Sequence, residues 1–360
     1  MKIRLLLLLA LCLLPLSPAM GSELTVRFLD IGRNDGILLS CDGQHAFIDG
    51  GTQNYSPIAV QALQALGVER LTYYIGTHAH KDHVGGASLL LSAFSVDALI
   101  QPHERVAGMI LKQAKTEPAR AAAQAVPVNT VTPGDAFPLG AAIIEVLGPL
   151  VLYDNAGHLE NENENSLILR VSLGARRFLL TADAPNEALL AIEAASPGVL
   201  ACDVFKNPHH NGTTDPEVLR AAGARYVVFS TEDAALPSRT ALGMVSAEGA
   251  LSAITAGKQN STLTFVTDGQ SLECAPTRVP EALSLSTESI DLTVGRTTTL
   301  RATTTPKGFV GVHLTLDDPR IASVDAQGKV TALAPGETIL RARTLNLEVT
   351  CPVRVGEAQK

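Results

Sequence analysis

The chain changes texture near residue 275, and no other feature limits its fold as strongly. Ahead of that point, short apolar runs alternate with helical spacing. Leu24 to Leu29 and Ile37 to Cys41 read as strands around a turn at Gly32 to Gly36, and Ala46-Phe47-Ile48 runs into Asp49-Gly50-Gly51. Ile58 to Leu66 has helical spacing and stops at Gly67, a C-cap signal. Leu71 to Ile75 predicts a buried strand that enters a histidine-rich loop, with a helix from Ala87 onward. One long helix is predicted over Arg105 to Ala125, then strands at Ile143 to Leu147, Ser166 to Leu173 and Phe178 to Thr181. Such repetition of strand, loop and helix predicts an α/β layered domain. Past Ala275 helical periodicity vanishes, and short Thr- and Val-rich segments recur between turn signals such as Ala334-Pro335-Gly336. That pattern predicts a small β-sandwich. The chain of 360 residues therefore divides into a first domain over residues 22–276 and a second over 281–356.

Residues 1–21 read as a signal peptide. Lys2 and Arg4 precede an apolar run from Leu5 to Leu14, and Ser17 to Gly21 offers small residues for cleavage after Ala19 or Gly21. No later run is apolar for long enough to span a bilayer. The expected location is outside the cytoplasm: periplasmic, cell-surface or secreted. Net charge is −8, and the acidic excess lies in residues 22–275, whereas residues 276–360 are nearly neutral. An acidic first domain gains nothing from long-range attraction to a polyanion. With 4% aromatic residues and no Trp, stacking platforms for sugars or single strands are disfavoured. Cys41, Cys202, Cys274 and Cys351 are widely spaced, in no CxxC pair. Free thiols are slightly favoured over disulfides, and zinc binding by these cysteines is not expected.

The chemistry is concentrated in Thr77-His78-Ala79-His80-Lys81-Asp82-His83, directly after the strand ending at Ile75 and just before Gly85-Gly86. Imidazoles and carboxylates at this spacing suit first-row divalent ions. In an extended loop His78 and His80 project to one side, leaving Asp82 and His83 to a second ion. Asp183 ends an apolar strand, and His209-His210 follow Val204 to Lys206. A lone Asp or His at such places is more often structural. The alternating Glu160 to Asn165 run reads as a solvated loop, though its position before a strand leaves a role at a site mouth open. Neither a GxSxG elbow nor a GxxxxGK[ST] phosphate loop occurs.

Residues 24–275 resemble the metallo-β-lactamase superfamily, and within it the hydrolase domain of ComEC-type competence proteins. The phrases that carry this are VRFLDIGRNDGILL, AFIDGG, YYIGTHAHKDHVGGA, NENSLILRVSLGARRFLLTADA and DVFKNPHHNGTTD. The resemblance implies a four-layer αββα sandwich with two divalent ions at one edge, zinc first and manganese as the alternative. It places His78 and His80 on one ion, Asp82, His83 and His209 on the other, and Asp183 between them. His210 is the alternative to His209. Asp49 is implied to orient the ligand loop. Asp82 and Asp183 would also handle the proton of an activated water.

Many superfamily members carry a further ligand His where this chain has Asn163, Glu164, Asn165 and Ser166, so water or His158 would complete the first ion's shell. A His that the competence branch places near Ala235 to Ser238 is missing too. The implied activity is hydrolysis of phosphodiesters, in a small molecule or nucleic acid. Arg33, Arg176, Arg177, Lys206 and Lys258 are candidate phosphate contacts. A carbon ester, lactone or β-lactam substrate is the alternative, and a non-catalytic surface binding protein is a third reading. The second domain resembles the bacterial immunoglobulin-like group 2 family through IDLTVGRTTTLRATTTP, DDPRIASVDAQGKVTALAPGETILRA and CPVRV, with His313 to Leu316 where that family usually has an aromatic. It implies an all-β sandwich making cell-surface or envelope contacts.

Overall fold

The computed structural model describes residues 21–154 and 159–358. The expected signal peptide, save Gly21, and His158 lie outside the described residues. Six strands come first: β1 (Leu24–Phe28), β2 (Gly36–Cys41), β3 (Gln44–Asp49), β4 (Arg70–Ile75), β5 (Ser95–Gln101) and β6 (Val128–Thr130). Between them lie α1 (Ser56–Ala65), α2 (Lys81–Val84), α3 (Ala87–Ala93), α4 (Arg105–Gln113) and α5 (Glu117–Ala125). A second set follows: β7 (Ala136–Leu139), β8 (Ala142–Gly148), β9 (Ile168–Leu173), β10 (Arg176–Leu180), β11 (Val204–Lys206), β12 (Tyr226–Phe229) and β13 (Leu251–Ile254), with α6 (Asn186–Ala195), α7 (Pro216–Ala222) and α8 (Arg239–Ala247). Strands β14 (Leu263–Thr267) and β15 (Glu273–Pro276) then return to the first set.

Among the described residues these make two sheets, β15-β14-β1-β2-β3-β4-β5-β6 and β13-β12-β11-β10-β9-β8-β7. Side chains alternate across β2: Ile37 and Leu39 face the opposite sheet, while Leu38 faces the helices. Burial on both faces explains why such strands read as continuous apolar runs. Between the sheets, Phe265 packs its ring 5.9 Å from Phe28 and 6.2 Å from Phe178. Helices α1, α3, α4 and α5 cover the first sheet through Leu63, Leu90, Val106 and Ala123, and α6 to α8 cover the second through Leu189, Val218 and Leu242. The result is the four-layer αββα sandwich.

One local expectation needs correcting. The single helix over Arg105 to Ala125 is broken: α4 ends at Gln113, and α5 starts afresh with Thr116 as N-cap, its hydroxyl accepting from Ala119 N, and with Pro118 in the first turn. Proline removes an interior helical donor but is tolerated there. The loop is extended at His80 and then turns, as expected, with Lys81–Val84 winding into α2.

The second domain comprises β16 (Ala282–Leu285), β17 (Ile290–Thr293), β18 (Thr297–Thr299), β19 (Ala302–Thr305), β20 (His313–Leu316), β21 (Ala322–Val324), β22 (Lys329–Ala332), β23 (Gly336–Arg343) and β24 (Glu348–Gly356). Sheets β17-β24-β23-β20 and β18-β22-β21 enclose Leu300, Val330, Leu340 and Val353. The Thr298 to Thr304 run supplies two strands in different sheets, breaking where Leu300 enters the core. All four described cysteines are free.

The sandwich is docked on the first domain. The His313 imidazole, 3% exposed, accepts from Ser252 N in β13 at 2.8 Å. Gln259 donates to Gly308 O and accepts from Val310 N, while Ser246 Oγ in α8 donates to Leu314 O. Burial, with Arg343 beside it, pushes the His313 imidazole down to about 4. An unfolded imidazole titrates near 6.5, so this contact contributes fully above that pH and is lost as pH falls from about 6.5 through 4. The His313→Ala variant leaves Ser252 N buried without a partner and should cost about 1–3 kcal/mol. Urea unfolding at pH 7.5 and at pH 5 checks this: the variant should lose stability at pH 7.5 and respond less to acid than the parent chain.

Candidate metal centre

Parallel pairing brings the carboxyl ends of β3, β4 and β5 to one edge and those of β10, β11 and β12 to the facing edge. Ligands in open α/β layers gather at such ends. Asp49 closes β3, Thr77 follows β4, Asp183 follows β10, and Asn207 to His210 follow β11. The histidine loop is held from both flanks: Asp49 accepts from Thr77 N at 2.9 Å and Thr77 Oγ1 at 2.8 Å, and Leu167 N donates to Thr77 O. His80 is still extended, whereas Asp82 and His83 sit on the turn of α2, so the two pairs face different positions. Gly85 and Gly86 have physical necessity here. A Cβ on Gly85 would strike the Lys81 carbonyl, and one on Gly86 would strike Ser56.

Three buried imidazoles share one arrangement, with Nδ1 facing an oxygen and Nε2 facing the cluster. His83 Nδ1 lies 2.7 Å from Asp49 Oδ2, and its Nε2 3.3 Å from Asp183 Oδ2. His210 Nδ1 lies 3.6 Å from Asp35 Oδ1, and its Nε2 3.5 Å from Asp82 Oδ2 and 3.7 Å from Asp183 Oδ2. His78 Nδ1 lies 3.1 Å from Thr77 Oγ1, and its Nε2 3.0 Å from His80 Nδ1. An oxygen behind Nδ1 fixes tautomer and ring orientation and leaves Nε2 to bind a metal.

Three groups of donors lie with their atoms within 4.8 Å of one another: Asp82-His83-Asp183-His210, His78-His80-Asp183 and Asp35-Asp49-His83. In the third, Asp35 is paired with Lys206 and Asp49 is taken up by Thr77 and His83 Nδ1, which leaves the first two for metal. Asp183 belongs to both. His83 Nε2, both ring nitrogens of His210, Asp183 Oδ1 and Asp35 Oδ1 are buried without a hydrogen-bond partner among the described residues. Each such atom costs roughly 1–3 kcal/mol, and cations at the two positions would satisfy the Nε2 atoms and Asp183 Oδ1 together. The residues fit a pair of divalent ions.

His209 requires a correction. Its side chain is 55% exposed and its Nε2 stands 4.0 Å from Asp183 Oδ2, while His210 is fully buried in the cluster. Both residues have positive φ, 53° and 59°, and this paired left-handed turn aims one ring inward and its neighbour out. Asn207 shapes the turn by donating to Pro208 O and Gly212 O and accepting from Thr214 Oγ1. Asp49 and Ala182 also have positive φ, at 60° and 47°. Backbone strain of this kind persists where surrounding contacts enforce it.

Asn165 also leaves the centre: its amide accepts from Tyr153 N and donates to Tyr153 O, which ties down the preceding loop. Lys206 is no phosphate contact. It is fully buried, with Nζ 2.5 Å from Asp35 Oδ2 and donating to the Ala182 carbonyl at 2.8 Å. A lysine in the short, apolar β11 can be buried only when paired, and that was the available sequence signal. Asp35 itself sits in what reads as an ordinary turn. Nor is the Asn/Glu run simply solvated. It forms a 3-10 turn over Leu159–Asn165 that buries Glu162 against His103 Nε2 at 2.6 Å, Arg105 Nε at 3.4 Å and Ala79 N at 3.4 Å.

Residues 37–188 match the family model of the metallo-beta-lactamase superfamily, and residues 281–342 match that of the bacterial Ig-like domain (group 2). The chain carries a metallo-beta-lactamase domain followed by a group 2 Ig-like domain. ComE operon protein 3 of Bacillus subtilis (strain 168) is 28% identical over 240 residues, which take in 61% of this chain and 30% of that protein. The chain thus spans under a third of that relative's length. A metallo-beta-lactamase from Cronobacter sakazakii with a HARLDQ motif aligns at 17% identity and a TM-score of 0.34, over 52% of this chain and 73% of that one. A variant of the CmlA beta-hydroxylase aligns at 14% identity and a TM-score of 0.45, over 69% of this chain and 54% of that one.

Electrostatics in the metallo-beta-lactamase domain follow from its packing. Burial alone would lower His83, but Asp183 and Asp49 on either side lift it well above the ordinary imidazole value. Asp183, Asp35 and Asp82 likewise overcome the burial of His210 and raise it. Burial and the nearby charge of His83 push His78 well down. A metal must therefore displace protons from His83 and His210, and its affinity should rise with pH. Calorimetric zinc titration in buffers of differing ionisation enthalpy should show net proton release at pH 7 and weaker binding at pH 6. His210→Ala should lose one ion by metal analysis, whereas His209→Ala should retain both.

Proposed function

We propose that this chain is an exported metal-dependent hydrolase that cleaves phosphodiesters. The observation that carries the reading is the convergence of His83 Nε2 and His210 Nε2 on Asp183, with Asp49 and Asp35 behind the rings. When bound at these residues, a divalent pair would supply a lowered pKa for water and stabilise charge on the attacked oxygen. The side chains position everything else. Asp183, shared by both donor sets, sets their spacing, and Asp82, 43% exposed at the cavity, is placed to accept a proton from water. Its carboxyl is charged near neutrality: burial would raise it, but the His210 imidazole 3.5 Å away and the nearby charge of His83 hold it well below the usual range.

The cavity bears on the substrate class. It encloses about 370 Å³ and is lined by Ala79, His80, Lys81, Asp82, Met109, Asn163, Asp183 and His209. Met109 is its one large apolar side chain, and pockets for apolar ligands are lined mainly by hydrophobic and aromatic groups. A polar, anionic substrate suits this lining better than a β-lactam, with Lys81 and His209 at hand for a phosphate. The competence-type resemblance and the match to ComE operon protein 3 support the same class. Export rests on residues 1–21 and agrees with the Ig-like domain, a module of envelope contacts. Among the described residues, no helix is long and apolar enough to cross a membrane.

Purified mature protein should hydrolyse bis-p-nitrophenyl phosphate with zinc or manganese, lose activity in EDTA and regain it with metal. Linear DNA should bind with a shallow salt dependence between about 50 and 200 mM, because few basic groups reach the cavity. Turnover of nitrocefin with none on any phosphodiester would overturn the substrate class.

A further inference from the structure

The two donor sets are unequal. The set around His210 has four protein donors, and the set around His78 has three, His78, His80 and Asp183. Water or His158 is expected to complete the smaller set, and His158 lies outside the described residues; two polar side chains of the nearby 3-10 turn are engaged elsewhere. Asn165 is spent on Tyr153, and Glu162 is spent on His103, Arg105 and Ala79 N. Between them in sequence stands Asn163. Its side chain lines the same cavity as His80, Asp82 and Asp183, and its Oδ1 is buried with no hydrogen-bond partner among the described residues. An amide oxygen left in that condition costs about 1–3 kcal/mol unless something in the cavity meets it.

We propose that Asn163 Oδ1 is the fourth protein donor of the His78-His80-Asp183 position. The inference rests on the metal-centre reading above and deepens it. A neutral carbonyl oxygen is a harder and weaker donor for zinc than imidazole, and oxygen donors favour manganese and magnesium. The two positions then differ in kind: one is closed by the buried His210 imidazole, the other by an amide. The lower-affinity ion is the one held by His78 and His80, and it is the one for which manganese competes best. The 3-10 turn delivers this donor. Glu162, fastened beneath the histidine loop, and Asn165, fastened to Tyr153, hold the turn on both sides of Asn163. Its main-chain carbonyl accepts from Ser166 N, a contact that side-chain substitution leaves intact.

Equilibrium titration of the full mature chain with Zn²⁺ and separately with Mn²⁺, read by calorimetry and metal content, tests the assignment without reference to turnover. The parent chain should bind two ions in distinguishable steps. Asn163→Ala should weaken the weaker step about tenfold or more, the scale on which losses around a metal are felt, and leave the tighter step within about twofold. Asn163→His should restore zinc at that step above the parent affinity and reduce the competitiveness of manganese. Circular dichroism and thermal unfolding confirm that both variants fold, and His80→Ala identifies which step belongs to this position. If Asn163→Ala keeps both steps unchanged while His80→Ala loses one, the Asn163 assignment is wrong and the metal-centre reading stands. If the parent chain binds neither ion, the metal-centre reading itself fails.

Discussion

Two carboxylates that would not touch a metal organise this centre. Asp49 and Asp35 are buried to 0% and 1% exposure, one behind His83 and the other behind His210. Such charges are costly in a protein interior unless paired and hydrogen-bonded. Asp49 is matched by Thr77 N, Thr77 Oγ1 and His83, and Asp35 by the Lys206 ammonium. Lys206 in turn holds the Ala182 carbonyl, which sets the approach of Asp183. One chain of contacts thus links the ends of β3, β4, β10 and β11, and the inward-facing nitrogens are oriented before any ion arrives.

What could be read from the sequence follows from where the information is local. His78 to His83 stand within one loop, after a strand whose apolar run is unmistakable, so their grouping needs no knowledge of distant residues. The layered architecture was equally legible, because strand and helix periods differ. The choice between His209 and His210 was not, since it depends on two consecutive left-handed residues imposed by Asn207 and Thr214. Long-range pairing hid Asp35, whose partner Lys206 lies across the sandwich. Glu162 was obscured for a related reason: a polar run normally faces water, and only His103 and Arg105, brought over by the start of α4, make its burial tolerable.

The Ig-like domain also changes meaning once placed. Its family usually has an aromatic where His313 stands, and that substitution could be taken for a small loss of core packing. The imidazole instead forms the hydrogen bond to Ser252 N, and its neighbour Val310 packs against the hydrophobic cluster beneath α8. A residue that departs from its family's pattern thus serves contact with another domain.

That contact bears on the colloidal behaviour of the protein. Strand β13 is the last strand of its sheet, and its outward side would otherwise present unpaired main-chain groups to any passing chain. Exposed sheet edges are templates for intermolecular pairing, and proteins blunt them with charge, proline, bulges or a covering element. Here the cover is a whole domain, fastened by an imidazole that accepts where a neighbouring strand would have accepted. The sandwich therefore covers the β13 edge against pairing with another chain, along a border of the fold remote in sequence from the histidine loop.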